Sequence, residues 1–217
     1  MDHYVASNED QYGPWRVGPA YPFVFQVTIS RTMDDKIVRF PMTKRSYRAG
    51  GIVKTMYHPY ENNAQSPGPL RLPVEIAELT KMEKLWDKAL SALEKSLSLM
   101  DGVYRKNGEL LYNTGKFIRN MIRTTLGIKK FYRANMRLQN FSSRPAMLTE
   151  LENIVKLLEA EKANVLDTIP LVEKDSRLGW EPRMDYVCDT EHLQWKLRQL
   201  AIAFEEVEAY REMINLK

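Results

Sequence analysis

Asn107-Gly108-Glu109-Leu110-Leu111-Tyr112-Asn113-Thr114-Gly115-Lys116-Phe117-Ile118-Arg119-Asn120-Met121-Ile122-Arg123-Thr124-Thr125-Leu126-Gly127-Ile128-Lys129-Lys130-Phe131-Tyr132-Arg133-Ala134-Asn135-Met136-Arg137-Leu138-Gln139-Asn140 contains no proline. At 100° per residue, Leu110, Phe117, Ile118, Met121, Thr125, Ile128, Tyr132 and Met136 share one face. Lys116, Arg119, Arg123, Lys130, Arg133 and Arg137 fall nearly opposite. This is an amphipathic helix of roughly 45 Å at 1.5 Å per residue. Burial of one stripe does not offset the entropy of ordering some thirty residues, so the helix needs other apolar ridges to lie against.

The chain supplies them on both sides. Upstream, a helix is expected from near Pro73 to about Met100, with Leu79, Met82, Trp86, Ala89, Leu90, Leu93, Leu97 and Met100 inward and Asp101-Gly102 as its stop. Downstream, Ser142-Ser143-Arg144-Pro145 breaks the chain and caps a third helix. Its stripe is Met147, Leu148, Leu151, Ile154, Val155, Leu158 and Val165, and Pro170 is expected to kink or end it. After a loop over 175–182, Asp189-Thr190 caps a fourth helix with Leu193, Leu197, Leu200, Phe204, Val207 and Tyr210 inward. Four long helices with short links favour antiparallel neighbours. Gly115 and Gly127 lie within the second helix at a cost of about 1 kcal/mol each relative to alanine, which points to close approach by another backbone.

Residues 1–72 differ in kind and are read as a unit apart from the bundle at 73–217. They hold ten of the 22 aromatic residues and seven of the 11 prolines, with no helical stripe, so an extended segment is expected there. Phe23–Ser30 reads as a strand by β-propensity, and Lys36–Phe40 alternates after a turn at Met33-Asp34-Asp35, which makes a hairpin. Ile52–Met56 is a weaker third strand. Three short strands do not make an independent domain, so the segment should pack on the helices or on another body. The fold class is therefore mainly α: an antiparallel bundle of about four long helices preceded by an extended, aromatic- and proline-rich segment with a few short strands.

The 217 residues and mild net charge of +4 fit an ordinary globular chain, and nucleic acid is not expected as a partner. The single cysteine, Cys188, excludes an intrachain disulfide and a cysteine-based zinc site. The start lacks the pattern of a signal peptide, and no run approaches the length that spans a bilayer, so a soluble chain is expected. His3, His58 and His192 are far apart and without metal-ligand spacing. No catalytic residue, metal or cofactor is assigned.

Two features invite a binding role. From Leu110 to Thr149 there is no Asp or Glu against eight Lys or Arg. Either the face Lys116, Arg119, Arg123, Lys130, Arg133 and Arg137 binds an acidic partner, or flanking acids pair with it, Glu150, Glu152, Glu159 and Glu161 on the third helix and Glu205, Glu206, Glu208 and Glu212 on the fourth. The aromatic loops also admit two readings. Trp15, Tyr57 and Tyr60 offer flat faces on which sugar rings lie, with Arg16 or His58 to bond hydroxyls; alternatively these rings join the leader to the bundle.

Three passages carry a resemblance. Tyr12-Gly13-Pro14-Trp15-Arg16-Val17-Gly18-Pro19-Ala20 resembles the segment that follows the catalytic barrel in bacterial glycoside-hydrolase-like proteins. The passage from Gly68-Pro69 through Val74-Glu75 to Leu85-Trp86 looks like the start of their helical region. Asp175-Ser176-Arg177-Leu178-Gly179-Trp180 is similar to a loop between two of its late helices. The relatives so implied carry a barrel similar to those of α-glucuronidases and hexosaminidases. In such proteins the catalytic carboxylates belong to the barrel, so none is carried onto this chain. The resemblance implies a non-catalytic accessory region, a C-terminal fragment or split-gene product, that supports a barrel domain or subunit or shapes the rim of its carbohydrate cleft. Trp15, Arg16, Tyr57, His58 and Tyr60 are then its candidate substrate contacts.

Overall fold

A computed structural model describes residues 18–23, 25, 30–33, 36–39, 68–140, 143–178, 180–181 and 186–215. The fold is mainly helical. Four long helices follow one another: α1 Gly68–Leu97, α2 Gly102–Asn140, α3 Arg144–Lys174 and α4 Thr190–Asn215. Ahead of them β1 (Ser30–Met33) pairs antiparallel with β2 (Lys36–Arg39), Met33 opposite Lys36. Between α3 and α4, β3 (Trp180–Glu181) pairs with β4 (Tyr186–Val187), a small hairpin where a plain loop is expected from sequence. The expected strand over Ile52–Met56 lies outside the described residues.

Helix ends follow local chemistry. α1 starts before Pro73, which sits exposed one turn inside, and ends at Leu97 rather than Met100. Leu99 N–H and Met100 N–H then bond back to the Ser96 and Leu97 carbonyls, and Gly102 takes φ +50°, the left-handed region where lack of a Cβ removes the penalty. Pro170 does not end α3, which continues to Lys174. The ring leaves the Leu166 carbonyl without its helical donor, and Leu166 and Pro170 are both exposed residues. α4 is capped as expected. The Asp189 carboxylate accepts the His192 N–H at 2.9 Å, and the Asp189 carbonyl accepts the Leu193 N–H. Cys188, one residue ahead of that cap, is 1% exposed.

The chain divides into two compact units. The first takes Met1–Ala20, Pro59–Leu126 and Asn164–Gln194; the second takes Tyr21–His58, Gly127–Ala163 and Trp195–Lys217. In the first unit α2 runs antiparallel to both neighbours. Toward α1, an added Cβ at Gly108 would meet Leu97, and one at Gly115 would meet Leu90 at 2.7 Å. Trp86 Nε1 donates to the Gly115 carbonyl at 2.7 Å. Toward α3, Asn120 meets Thr168 and Thr124 meets Asn164. With a neighbour on each side, α2 buries more than one stripe: Ile122 and Leu126 join Phe117 and Met121 in the core, while Leu110, expected inward, is exposed.

In the second unit, Met147, Leu151, Ile154 and Leu158 of α3 and Leu200 and Val207 of α4 are fully buried, with Phe131, Ala134 and Leu138 of α2. Met136, expected inward, is exposed. The leader contributes here. Phe23 and Phe25 lie outside β1, against helices: Phe23 packs on Phe131 with ring centroids 5.1 Å apart, and Phe25 meets Tyr210 edge-on at 5.9 Å. Of the expected strand Phe23–Ser30, Phe23 and Phe25 are not in a strand and Ser30 opens β1, while 24 and 26–29 lie outside the described residues.

Candidate interaction surfaces

The first half of the basic face of α2 is spent inside the protein. Asp167, 36% exposed, accepts from Lys116 Nζ at 3.0 Å, Arg119 Nη2 at 2.6 Å and Asn120 Nδ2 at 3.0 Å. Burial pushes this carboxyl up, but the hydrogen bonds from Asn120 and Lys116 and the charges of Lys116 and Arg119 outweigh it and hold it below the ordinary range. Behind it lies a buried polar seam. Asn120 Nδ2 also donates to Thr168 Oγ1, Asn164 Nδ2 donates to the Asn120 carbonyl and Thr124 Oγ1, and Thr168 Oγ1 donates to the Asn164 carbonyl. On the α1 side Arg123 donates to Glu83 at 2.9 Å and Asp87 at 3.3 Å. Flanking acids thus do pair with this half of the face, but they are Asp167, Glu83 and Asp87 rather than the glutamates of α3 and α4.

The second half is different. Among the described residues no carboxylate lies within ion-pair distance of Lys130, Arg133 or Arg137. Lys130 and Arg133 are half-buried and Arg137 is exposed. Burial, and then the neighbouring Arg137 charge, lower the Arg133 pKa, against a smaller opposing pull from Glu150. Three cations at positions i, i+3 and i+7 stand here on one face.

The second unit also holds a sealed ion pair that the sequence reading missed. Lys196 Nζ donates to Glu161 Oε1, with the two side chains 0% and 3% exposed. The Phe23 ring covers the ammonium at 5.2 Å from its centroid. Gly127 makes room for that ring, since a Cβ there would stand 2.8 Å from Phe23 Cζ and 3.4 Å from Glu161 Oε2. Glycine is thus needed for a side chain of the leader, not for a second backbone. The signal was present in sequence: Glu161 lies at helical spacing between Leu158 and Val165, and Lys196 between Leu193 and Leu200. Opposite charges in apolar registers of adjacent helices mark a buried pair. So enclosed, it is a packing element rather than an acid–base site.

Trp15, Arg16, Tyr57, His58 and Tyr60 lie outside the described residues. His192 bonds Asp189 through Nδ1 at 2.7 Å, next to the cap. Asp175 accepts from Arg177 through its backbone N–H, Nε and Nη2, which brings the carboxyl down to about 2 and closes a local turn. Among the described residues no group of three or more His, Cys, Asp or Glu is placed to hold a metal ion, and no helix is long and apolar enough to cross a membrane. A further surface appears at the α1–α2 turn. Leu99, Val103, Tyr104 and Leu111 are 89%, 66%, 74% and 60% exposed. No family model, no curated protein and no solved structure matches the chain.

Proposed function

We propose that this chain is a non-catalytic helical accessory module of a glycoside-hydrolase-like carbohydrate-active protein, and that it docks on a catalytic barrel. The observation that carries this reading is the apolar end of the α1–α2 hairpin. Leu99, Val103, Tyr104 and Leu111 are presented to solvent at the α1–α2 turn and over the first turns of α2. Large apolar side chains left in water near one end of a helical hairpin favour association. The identity of the partner is supported by the three motifs of the post-barrel region, which occur here in the same order. On this reading Trp15, Arg16, Tyr57, His58 and Tyr60 line the rim of the partner's cleft.

The test is to mix the purified chain with a barrel of the α-glucuronidase or hexosaminidase type prepared without its helical tail. A one-to-one complex is expected by light scattering, weakened by Leu99→Asp with Tyr104→Asp while helicity is unchanged. The chain alone is expected to leave aryl glucuronides and aryl hexosaminides intact. Hydrolysis by the chain alone, or indifference of the complex to both substitutions, overturns the proposal. A free-standing interaction protein that grips an acidic partner along all of residues 116–137 is less well supported, because Lys116, Arg119 and Arg123 already hold carboxylates.

A further inference from the structure

We infer that Lys130, Arg133 and Arg137 form a docking row for an extended acidic peptide segment of another protein. This does not rest on the barrel reading; it rests on the contrast between the two halves of one helix face. Lys116, Arg119 and Arg123 meet Asp167, Glu83 and Asp87, while the next three cations on that face meet no carboxylate among the described residues. α2 supplies no internal relief, since it holds no acid beyond Glu109. The adjoining start of α3 has no acid in its first turn. Glu150, the acid that Arg133 feels, is 7% exposed and turned into the protein.

Spacing selects the occupant. Along the helix the three cations stand about 4.5 Å and 6 Å apart at 1.5 Å per residue. An extended chain presents every second side chain on one side at intervals of about 6.6 Å. A segment with Asp or Glu at alternate positions therefore sets successive carboxylates against Arg133 and Arg137, where guanidinium forks bind them bidentately, with Lys130 as a third point charge. A nucleic acid is a poorer fit. A duplex-tracking ridge must continue past three charges, and here the next turns of the face are neutralised by acids of the same protein.

The experiment uses the full chain and an eight-residue fluorescent peptide alternating Glu and Ser, with a Gln-Ser peptide as the uncharged control. A single-stranded oligonucleotide of equal charge is run in parallel. Binding of the Glu-Ser peptide alone is expected, weakening as NaCl is raised from 50 to 300 mM, since exposed pairs are screened. Lys130→Gln with Arg137→Gln should weaken it about 3- to 10-fold. Lys156→Gln with Lys162→Gln, two exposed α3 lysines, should leave it unchanged. Because Arg133 is half-buried, Arg133→Gln is read only beside a circular dichroism spectrum that matches the parent. Absence of peptide binding, equal loss in the α3 control, or tighter binding of the oligonucleotide overturns the inference.

Discussion

Replacing Gly127 by alanine tests whether the leader is seated in the helices as described. In a helix interior this change ordinarily stabilises by about 1 kcal/mol, because alanine loses less backbone entropy. Here the new Cβ would stand 2.8 Å from Phe23 Cζ, a stiff ring held against Phe131, and 3.4 Å from Glu161 Oε2. Overpacking of this kind costs about 1–3 kcal/mol, so a net loss of up to about 2 kcal/mol is expected. The sign should reverse when the obstruction is shortened. In a Phe23→Leu background the Cζ atom is gone and the side chain remains apolar, so Gly127→Ala should recover most of its ordinary gain. Guanidinium unfolding followed by circular dichroism at 222 nm gives the four stabilities of this cycle, provided the slopes agree. If Gly127→Ala stabilises the parent and the Phe23→Leu protein alike, Phe23 does not occupy that notch and the account of the leader fails.

Three further outcomes follow from the same contacts. Glu161→Ala should cost about 3–5 kcal/mol by removing the carboxylate that the fully buried Lys196 holds, whereas Glu161→Leu with Lys196→Met should be neutral or stabilise by about 1–4 kcal/mol; equal losses from both would refute the pairing. Asp167 has a carboxyl held low in the folded protein, so its contribution to stability is complete above the unfolded value near 4 and falls away as pH drops toward the folded one. Asp167→Asn should therefore flatten the acid limb of a stability–pH curve, and an unchanged limb would deny Lys116, Arg119 and Asn120 their grip. Asp189→Ala should remove about 1 kcal/mol through the lost cap on α4, read from the denaturant midpoint, and Asp189→Ser should restore most of it.

Much of the fold is legible because helix periodicity and caps are local signals. The stripe Met147, Leu151, Ile154, Leu158 identifies α3, the Asp189 cap gives the start of α4, and the turn ahead of Lys36 gives the leader hairpin. What escaped depends on neighbours. Period alone cannot show that α2 is flanked on two sides, so Ile122, Leu126 and Phe131 stand outside the stripe it predicts. Nor can it show which acid meets a given arginine: Asp167 lies 48 residues from Arg119, and only the antiparallel register of α2 and α3 brings them together. The missing donor of Pro170 predicts a break, but at an exposed position of α3 the helix continues to Lys174. For the candidate surfaces, sequence displays six cations in a row and is silent on the point that matters, which three are already engaged.

The placement of Cys188 gives the protein a built-in clock. The thiol has no other cysteine to exchange with and is shielded from solvent, beside the carboxylate that starts α4. A thiol reagent can react only in the moments when that corner of the chain comes apart. Its rate of colour development therefore meters local opening at the entrance to the last helix, without any label having to be introduced.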